Sequence, residues 1–313
     1  MKNEQPTFVF FGSGPVAAEN LRQLIPYFPV EAVITKPSTL KEMSAICDAL
    51  VPVYAVENKQ QLDALISEQK FESSVGVLID FGIIVSTKVI STFPKGIVNS
   101  HFSLLPEWRG ADPITFSILS GQAKTGVSLM LLVEKMDEGP LLATGTCAIK
   151  ETDTTPVLTD KLIALSTSLL EKNLAPYVNE SLPLQDQTDV AQSQGRSAEP
   201  TYSRKLTKAD GNIDWSKPAE QIEREIRAFI EWPKSYTKLG DIEVIITQGH
   251  AIPTNFGTNA GEIEIQDDEA KLLMVQCGEG YLCIDRIKPA GKKDMDVSAF
   301  LAGYKSRLTP SAR

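Results

Sequence analysis

Histidine is almost missing from this chain: among 313 residues only His101 and His250 occur, which excludes a His-rich metal centre and leaves imidazole chemistry two positions. Cysteine is scarce as well. Cys47, Cys147, Cys277 and Cys283 fall at wide, irregular spacings with no C-x-x-C pair, so they are expected to be small buried or half-buried residues, with no metal and no dithiol couple. No run of 18 apolar residues occurs, and Met1–Pro6 is polar, without a cationic leader ahead of an apolar stretch. A soluble, cytoplasmic protein with no membrane partner is the expectation. Bases are the minority charge, 31 against 40 acids, for a net −9. That excludes a surface gripping phosphate backbones throughout and gives no reason to expect DNA, while still allowing a local basic patch. The dinucleotide fingerprint is incomplete too. Gly12-Ser13-Gly14-Pro15 sits at a strand-to-helix turn, but Ala17 stands where the third glycine belongs and no acid closes Val30–Lys36, which excludes a nicotinamide dehydrogenase.

What is present is long enough for two domains. Strand-like and helix-like periods alternate through the first two-thirds, the pattern of a parallel sheet wrapped by helices. Strands are predicted at Thr7–Phe11, Val30–Thr35, Val51–Val56, Ser74–Ile79, Gly96–His101, Val127–Val133 and Leu141–Ile149. Helices are predicted from Pro15, over Thr39–Leu50, after the cap Asn58, from Asp112-Pro113, and over Pro156–Tyr177. The polar stretch that follows reads as a linker. Beyond it come one amphipathic helix, Asp214–Ile230, and five short strands from Ser235 to Ile287, which suggest a small barrel or sandwich. Residues 1–195 carry 14 bases and 22 acids, and 196–313 carry 17 and 18. Within 284–313, Arg286, Lys288, Lys292, Lys293, Lys305, Arg307 and Arg313 outnumber Asp285, Asp294 and Asp296, giving a basic tail that is a candidate backbone-contacting patch.

Asn99 and His101 stand two apart at the end of a predicted strand, so their side chains share one side, at the end of the sheet where α/β folds hold ligands. Asp137 lies in the loop after Val127–Val133 and is expected to return to the same end. An imidazole, a carboxylate that supports it and an amide that donates to a developing oxyanion form a proton-handling set without a nucleophile. Such a set suits attack by a substrate's own amine on an acyl carbon. Ser103 has no nucleophile elbow around it. His250, on a β-like run without a carboxylate motif nearby, is assigned to structure.

These residues carry a resemblance. Asn99-Ser100-His101, Ser103-Leu104-Leu105-Pro106, Arg109-Gly110-Ala111, Thr125-Gly126-Val127 and Asp137 resemble the signature of the 10-formyltetrahydrofolate-dependent formyltransferases. Phe81-Gly82-Ile83-Ile84 is similar to the family's folate-side stretch, with Phe81 in place of the usual tyrosine. Thr201-Tyr202, Ile213-Asp214-Trp215-Ser216, Trp232-Pro233 and Lys288-Pro289-Ala290-Gly291-Lys292-Lys293 resemble the branch that formylates tRNA more closely than the sugar-nucleotide branch. The resemblance implies an α/β class, with a Rossmann-like formyltransferase domain over 1–180, a linker over 181–204 and an OB-like β-barrel tRNA-binding domain over 205–313. It implies 10-formyltetrahydrofolate as formyl donor and initiator methionyl-tRNA as acceptor, an amino-sugar nucleotide being the alternative. A monomer is expected. Asn99, His101 and Asp137 are implied as catalytic. Ser103, Leu104, Leu105, Pro106, Phe81, Gly82, Ile83 and Ile84 are implied to line the folate, and Arg109, Gly110, Lys292 and Lys293 to meet the acceptor. One segment departs from the tRNA branch: the connection Thr35–Glu42 is short, with two lysines and none of the glycines of the longer basic loop usual there.

Overall fold

The computed structural model describes residues 5–254, 259–266 and 271–308. In chain order the elements are β1 (Phe8–Gly12), α1 (Pro15–Leu24), β2 (Val30–Thr35), α2 (Leu40–Ile46), β3 (Val53–Ala55), α3 (Lys59–Glu68), β4 (Val75–Ile79), α4 (Thr87–Thr92) and β5 (Ile97–His101). Next come β6 (Arg109–Gly110), α5 (Pro113–Leu119), β7 (Lys124–Leu131), β8 (Leu141–Ala148), α6 (Thr155–Val178), α7 (Gln187–Ser193) and β9 (Tyr202–Ser203). The remainder is α8 (Ala219–Ala228), β10 (Ser235–Leu239), β11 (Ile242–Ile252), β12 (Ile263–Gln266), β13 (Leu272–Gln276), β14 (Tyr281–Pro289), β15 (Met295–Asp296) and α9 (Val297–Leu308). No helix among the described residues is long and apolar enough to cross a membrane.

The chain divides into two compact units. The first takes residues up to Ile114, Lys124–Ala148 and Leu158–Arg204. Its seven-stranded sheet has the order β3-β2-β1-β4-β5-β7-β8, parallel from β3 to β5 and antiparallel at β7 and β8. β1, β4 and β5 are buried at every position, which is why β1 and β4 read as runs without polar alternation, while β5 ends in the buried polar residues Asn99, Ser100 and His101. Pro15 opens α1 after Gly14 at φ 96, and the Asn58 side chain caps α3 by accepting from the Gln61 N–H at 3.0 Å. α2 stops at Ile46, short of the expected Leu50, because Cys47 is extended and Asp48–Val51 closes a turn. The segment 181–204, expected as a linker, contains α7 and β9 and belongs to the first unit. Asp186 caps α7 through the Thr188 N–H at 2.7 Å, and Val190 and Ala191 are buried.

The second unit gathers Lys205–Arg313 together with Thr115–Ala123 and Ile149–Val157. The expected barrel takes the form of one antiparallel sheet, β10-β11-β14-β13-β12, with β15 on β14. Alternate residues of β13 and β14, such as Leu273, Val275, Leu282 and Ile284, join Ile222 and Ile226 of α8 and Phe300 and Leu301 of α9 in one core. α8 is shorter than the expected Asp214–Ile230. The Asp214 carboxylate accepts from the Ser216 N–H at 3.0 Å and its hydroxyl at 2.6 Å, a local turn that competes with helix, and Pro218 follows. Arg224 and Arg227 of α8 donate to the carbonyls of Leu119 and Asp153 at 3.3 and 2.8 Å, which ties both early segments into this unit.

Candidate active site

β5 sets the site. In its parallel register with β4, Leu78 faces Asn99, and in its antiparallel register with β7, Asn99 faces Met130 and His101 faces Ser128. Strand alternation sends Ser100 to one face, where its hydroxyl meets that of Ser166 at 2.7 Å, and Asn99 and His101 to the other. Because β7 runs antiparallel, the loop after it leaves beside Ile97, at the opposite end of β5 from His101. The loop nevertheless brings Asp137 back to the His101 end of β5, as expected. Asp137 reaches His101 because its loop folds back over the sheet: Asp137 Oδ1 lies 3.8 Å from His101 Nδ1, and Asp137 Oδ2 accepts from the Gly110 N–H at 2.8 Å.

The three groups are brought together in protein interior, with Asn99 7%, His101 6% and Asp137 9% exposed. His101 Nε2 lies 3.0 Å from the Trp108 carbonyl oxygen. A carbonyl only accepts, so Nε2 carries a proton, and in the neutral ring Nδ1 is the lone pair that faces Asp137. At 3.8 Å the two are too far apart for a hydrogen bond, and both keep capacity for a third atom. The side-chain amide of Asn99 has no hydrogen-bond partner among the described residues. Neither atom of that amide is wholly shut off from solvent, so it keeps its hydrogen-bonding capacity for a ligand.

Other expected site residues are placed differently. Ser103 and Leu105 are fully buried and Leu104 nearly so. The Ser103 hydroxyl donates to the Glu107 carbonyl at 2.5 Å, and the Leu105 N–H donates to Ser128 Oγ at 3.0 Å, while Pro106 is buried after a cis peptide bond. Phe81 is buried edge-on against Phe11, and Ile83 packs on the same core. The side chains of Ser103, Leu104, Leu105 and Phe81 are thus packed in the interior and build the scaffold behind the site. Of that list, Gly82 and Ile84 present surface. Arg109 and Gly110, expected to meet the acceptor, are likewise engaged with protein. Arg109 Nη2 donates to Gln187 Oε1 at 2.8 Å, and its Nη1 lies 3.4 Å from Glu138. Gly110, at φ 117, has no room for a side chain, since a Cβ would fall 2.4 Å from the Ser203 carbonyl oxygen.

Two groups escaped the sequence reading. Gln187, in the supposed linker, is buried and holds the Asp137 loop. Asp80, at the exit of β4, has φ 45 and accepts from the Ser13 N–H through its carbonyl at 3.0 Å. Although its surface is open, desolvation by the atoms packed round the carboxyl pushes it up to about 6, with Lys36 opposing and Asp112 reinforcing. Lys36, one of the two lysines of the short Thr35–Glu42 connection, is thus turned to Asp80. The glycine turn Gly12–Gly14 is bound to the same exit, Ser13 Oγ donating to the Phe81 carbonyl at 2.6 Å.

In the second unit, Lys292 and Lys293 are exposed in the turn between β14 and β15 and make no ion pair among the described residues. Arg286 and Arg307 of the basic tail are committed to Asp294, Asp296 and Asp241, and Arg313 lies outside the described residues. His250 does have a carboxylate beside it, contrary to expectation: Nδ1 is 3.1 Å from both oxygens of Asp285, because β11 and β14 pair in that register.

The comparisons with known proteins agree with this architecture. A family model described as formyl transferase matches residues 16–174, and one described as formyl transferase, C-terminal domain, matches 205–305. The methionyl-tRNA formyltransferase of Pseudoalteromonas translucida is 32% identical over 88% of this chain and 83% of its own length. That of Geobacillus thermodenitrificans is 32% identical over 96% of this chain and 95% of its own. Among solved structures, an N-formyltransferase from Helicobacter canadensis in complex with folinic acid and dTDP-3-aminofucose superposes with a TM-score of 0.64 at 18% identity, covering 90% of this chain and 98% of that one. At that identity the likeness speaks to fold alone. Matched in both domains and aligned along most of its length to these relatives, the chain belongs to the formyl transferase family.

Proposed function

We propose that the chain transfers a formyl group from 10-formyltetrahydrofolate to the α-amino group of methionyl initiator tRNA, the reaction named by its relatives. The observation that carries the assignment is the unpaired Asn99 amide, 7% exposed, on the same strand face as His101, which stands 3.8 Å from Asp137. The folate co-substrate supplies an acyl carbon held on nitrogen, and this set of side chains suits an amine attacking such a carbon. Asn99 donates to the formyl oxygen as it gains negative charge; a donor of this kind is typically worth ~2.7–4 kcal/mol. His101 accepts the amine proton at Nδ1, since Nε2–H is held by the Trp108 carbonyl, and returns it to the departing folate nitrogen. Asp137 Oδ1 faces the imidazolium so formed and stabilises it. The exposure of Lys292 and Lys293 supports a phosphate-contacting role for them on the tRNA.

The test is direct. The protein is incubated with labelled 10-formyltetrahydrofolate and either methionyl initiator tRNA or an amino-sugar nucleotide. Label is expected on the tRNA, and transfer to the sugar alone overturns the assignment.

A further inference from the structure

We infer that Gln187 is a positioning residue for Asp137, and that the segment around it, 185–203, is the support that holds the catalytic loops in register. The inference rests on the reading of Asp137 given above. Gln187 is 3% exposed and uses both ends of its amide. Nε2 donates to the carbonyl of Asp137 and to that of Gly139, each at 2.8 Å, so one amide spans the residue that carries the carboxylate and the glycine two further on. Oε1 accepts from Arg109 Nη2 at 2.8 Å, and Arg109 Nη1 faces Glu138 at 3.4 Å. Gly110, next to Arg109, donates its N–H to Asp137 Oδ2 at 2.8 Å. Asp137 is therefore fixed at its backbone by Gln187 and at its carboxylate by Gly110, and Arg109 links the two.

Such fixing is needed. Asp137 has φ 57, a left-handed conformation that a non-glycine residue keeps only when its surroundings enforce it. Only Oδ1 is left towards His101, so a small rotation of this backbone changes the separation on which the imidazolium depends. The other wall is held from the same segment. Thr201 Oγ1 accepts from the Trp108 N–H at 2.8 Å, β9 pairs with β6, and Arg196 donates to the carbonyls of Leu104 and Leu105 at 2.8 and 3.2 Å. Trp108, whose carbonyl sets the His101 tautomer, and Asp137 are thus both referenced to 185–203.

Gln187→Ala removes all three contacts, whereas Gln187→Glu keeps the length and the acceptor for Arg109 and loses only the two donors. The second variant serves should the first fail to fold. With Asp137→Asn as reference, both are expected to lower kcat at least tenfold while the KM for folate and for tRNA stays within about threefold, because the defect lies in aim and not in binding. The chain has only two histidines, so the ring nitrogens of His101 can be followed by NMR with His250 as an internal reference. His101 signals are expected to move in both variants and those of His250 to stay. Near-wild-type turnover in Asp137→Asn overturns the functional reading itself. Loss in Asp137→Asn with unchanged kcat in Gln187→Glu, or a Gln187 defect confined to KM with unmoved His101 signals, overturns this inference alone.

Discussion

The two histidines each face an aspartate, and the contrast between the pairs separates a surface contact from a site. His250 and Asp285 meet at 3.1 Å with the histidine side chain 56% exposed. Each satisfies the other, and water surrounds both. His101 and Asp137 stand 3.8 Å apart in the interior, and each is held by a different backbone group, Trp108 and Gly110. The looser pair is the one equipped for chemistry, since neither partner has used the atom that faces the other. A short distance alone therefore measures satisfaction, while reactivity needs groups kept close and incomplete.

The largest effect that sharpens this comparison is on turnover. His101→Ala is expected to lower kcat by ~10²–10⁴ and His250→Ala by less than about twofold, in a single-turnover formyl-transfer assay. Comparable losses in both would erase the distinction. Asn99→Ala is next, with an expected ~10²–10³ loss in kcat at little-changed KM, as for removal of an oxyanion donor. A loss appearing only in KM would move Asn99 to ground-state binding.

A third test concerns stability and pH. The Asp80 carboxyl ionises near 3.8 when free and at about 6 in the folded chain, so the folded state holds the proton more tightly. Its contribution is intact below pH ~4 and is lost as pH rises through about 6. Asp80→Asn is then expected to raise Tm at about pH 7.5, with the gain fading towards pH 4, as followed by calorimetry. A gain independent of pH would show that the carboxyl does not titrate in this range. The smallest effect belongs to the exposed pair: His250→Ala costs ~0.2–1 kcal/mol in denaturant titrations, less at high salt. A cost of several kcal/mol would place His250 among the structural residues of its unit.

How much of this was legible in the sequence depended on the range of the forces involved. Val30–Thr35 and Ser235–Leu239 form the strands predicted for them, since runs with β-branched or aromatic residues between turn residues act locally. Asn99 and His101 could be paired because strand alternation is local too. The placing of Asp137 beside His101 was legible as well, but its contacts with Gly110 and Gln187 were not, because they join segments distant in the chain. Gln187 was hidden in a stretch that composition marks as linker, and its contacts lie about fifty positions back, at Asp137 and Gly139. Asp80 was invisible for a similar reason, since its environment is assembled by Lys36 and Asp112 from other elements. The Asp285 neighbour of His250 arises only from the register of β11 on β14.

The segment 181–204 has a consequence for how the molecule comes into being. As the chain leaves the ribosome, Asn99, His101 and Asp137 emerge well before Gln187, Arg196 and Tyr202. The chemical groups exist before the frame that aims them. The pairing of β9 with β6, which helps to hold that frame, needs residues that emerge last in the first unit. A fragment ending at 180 would keep Asn99, His101 and Asp137 and lack the contacts that align them, since the first unit runs on to Arg204.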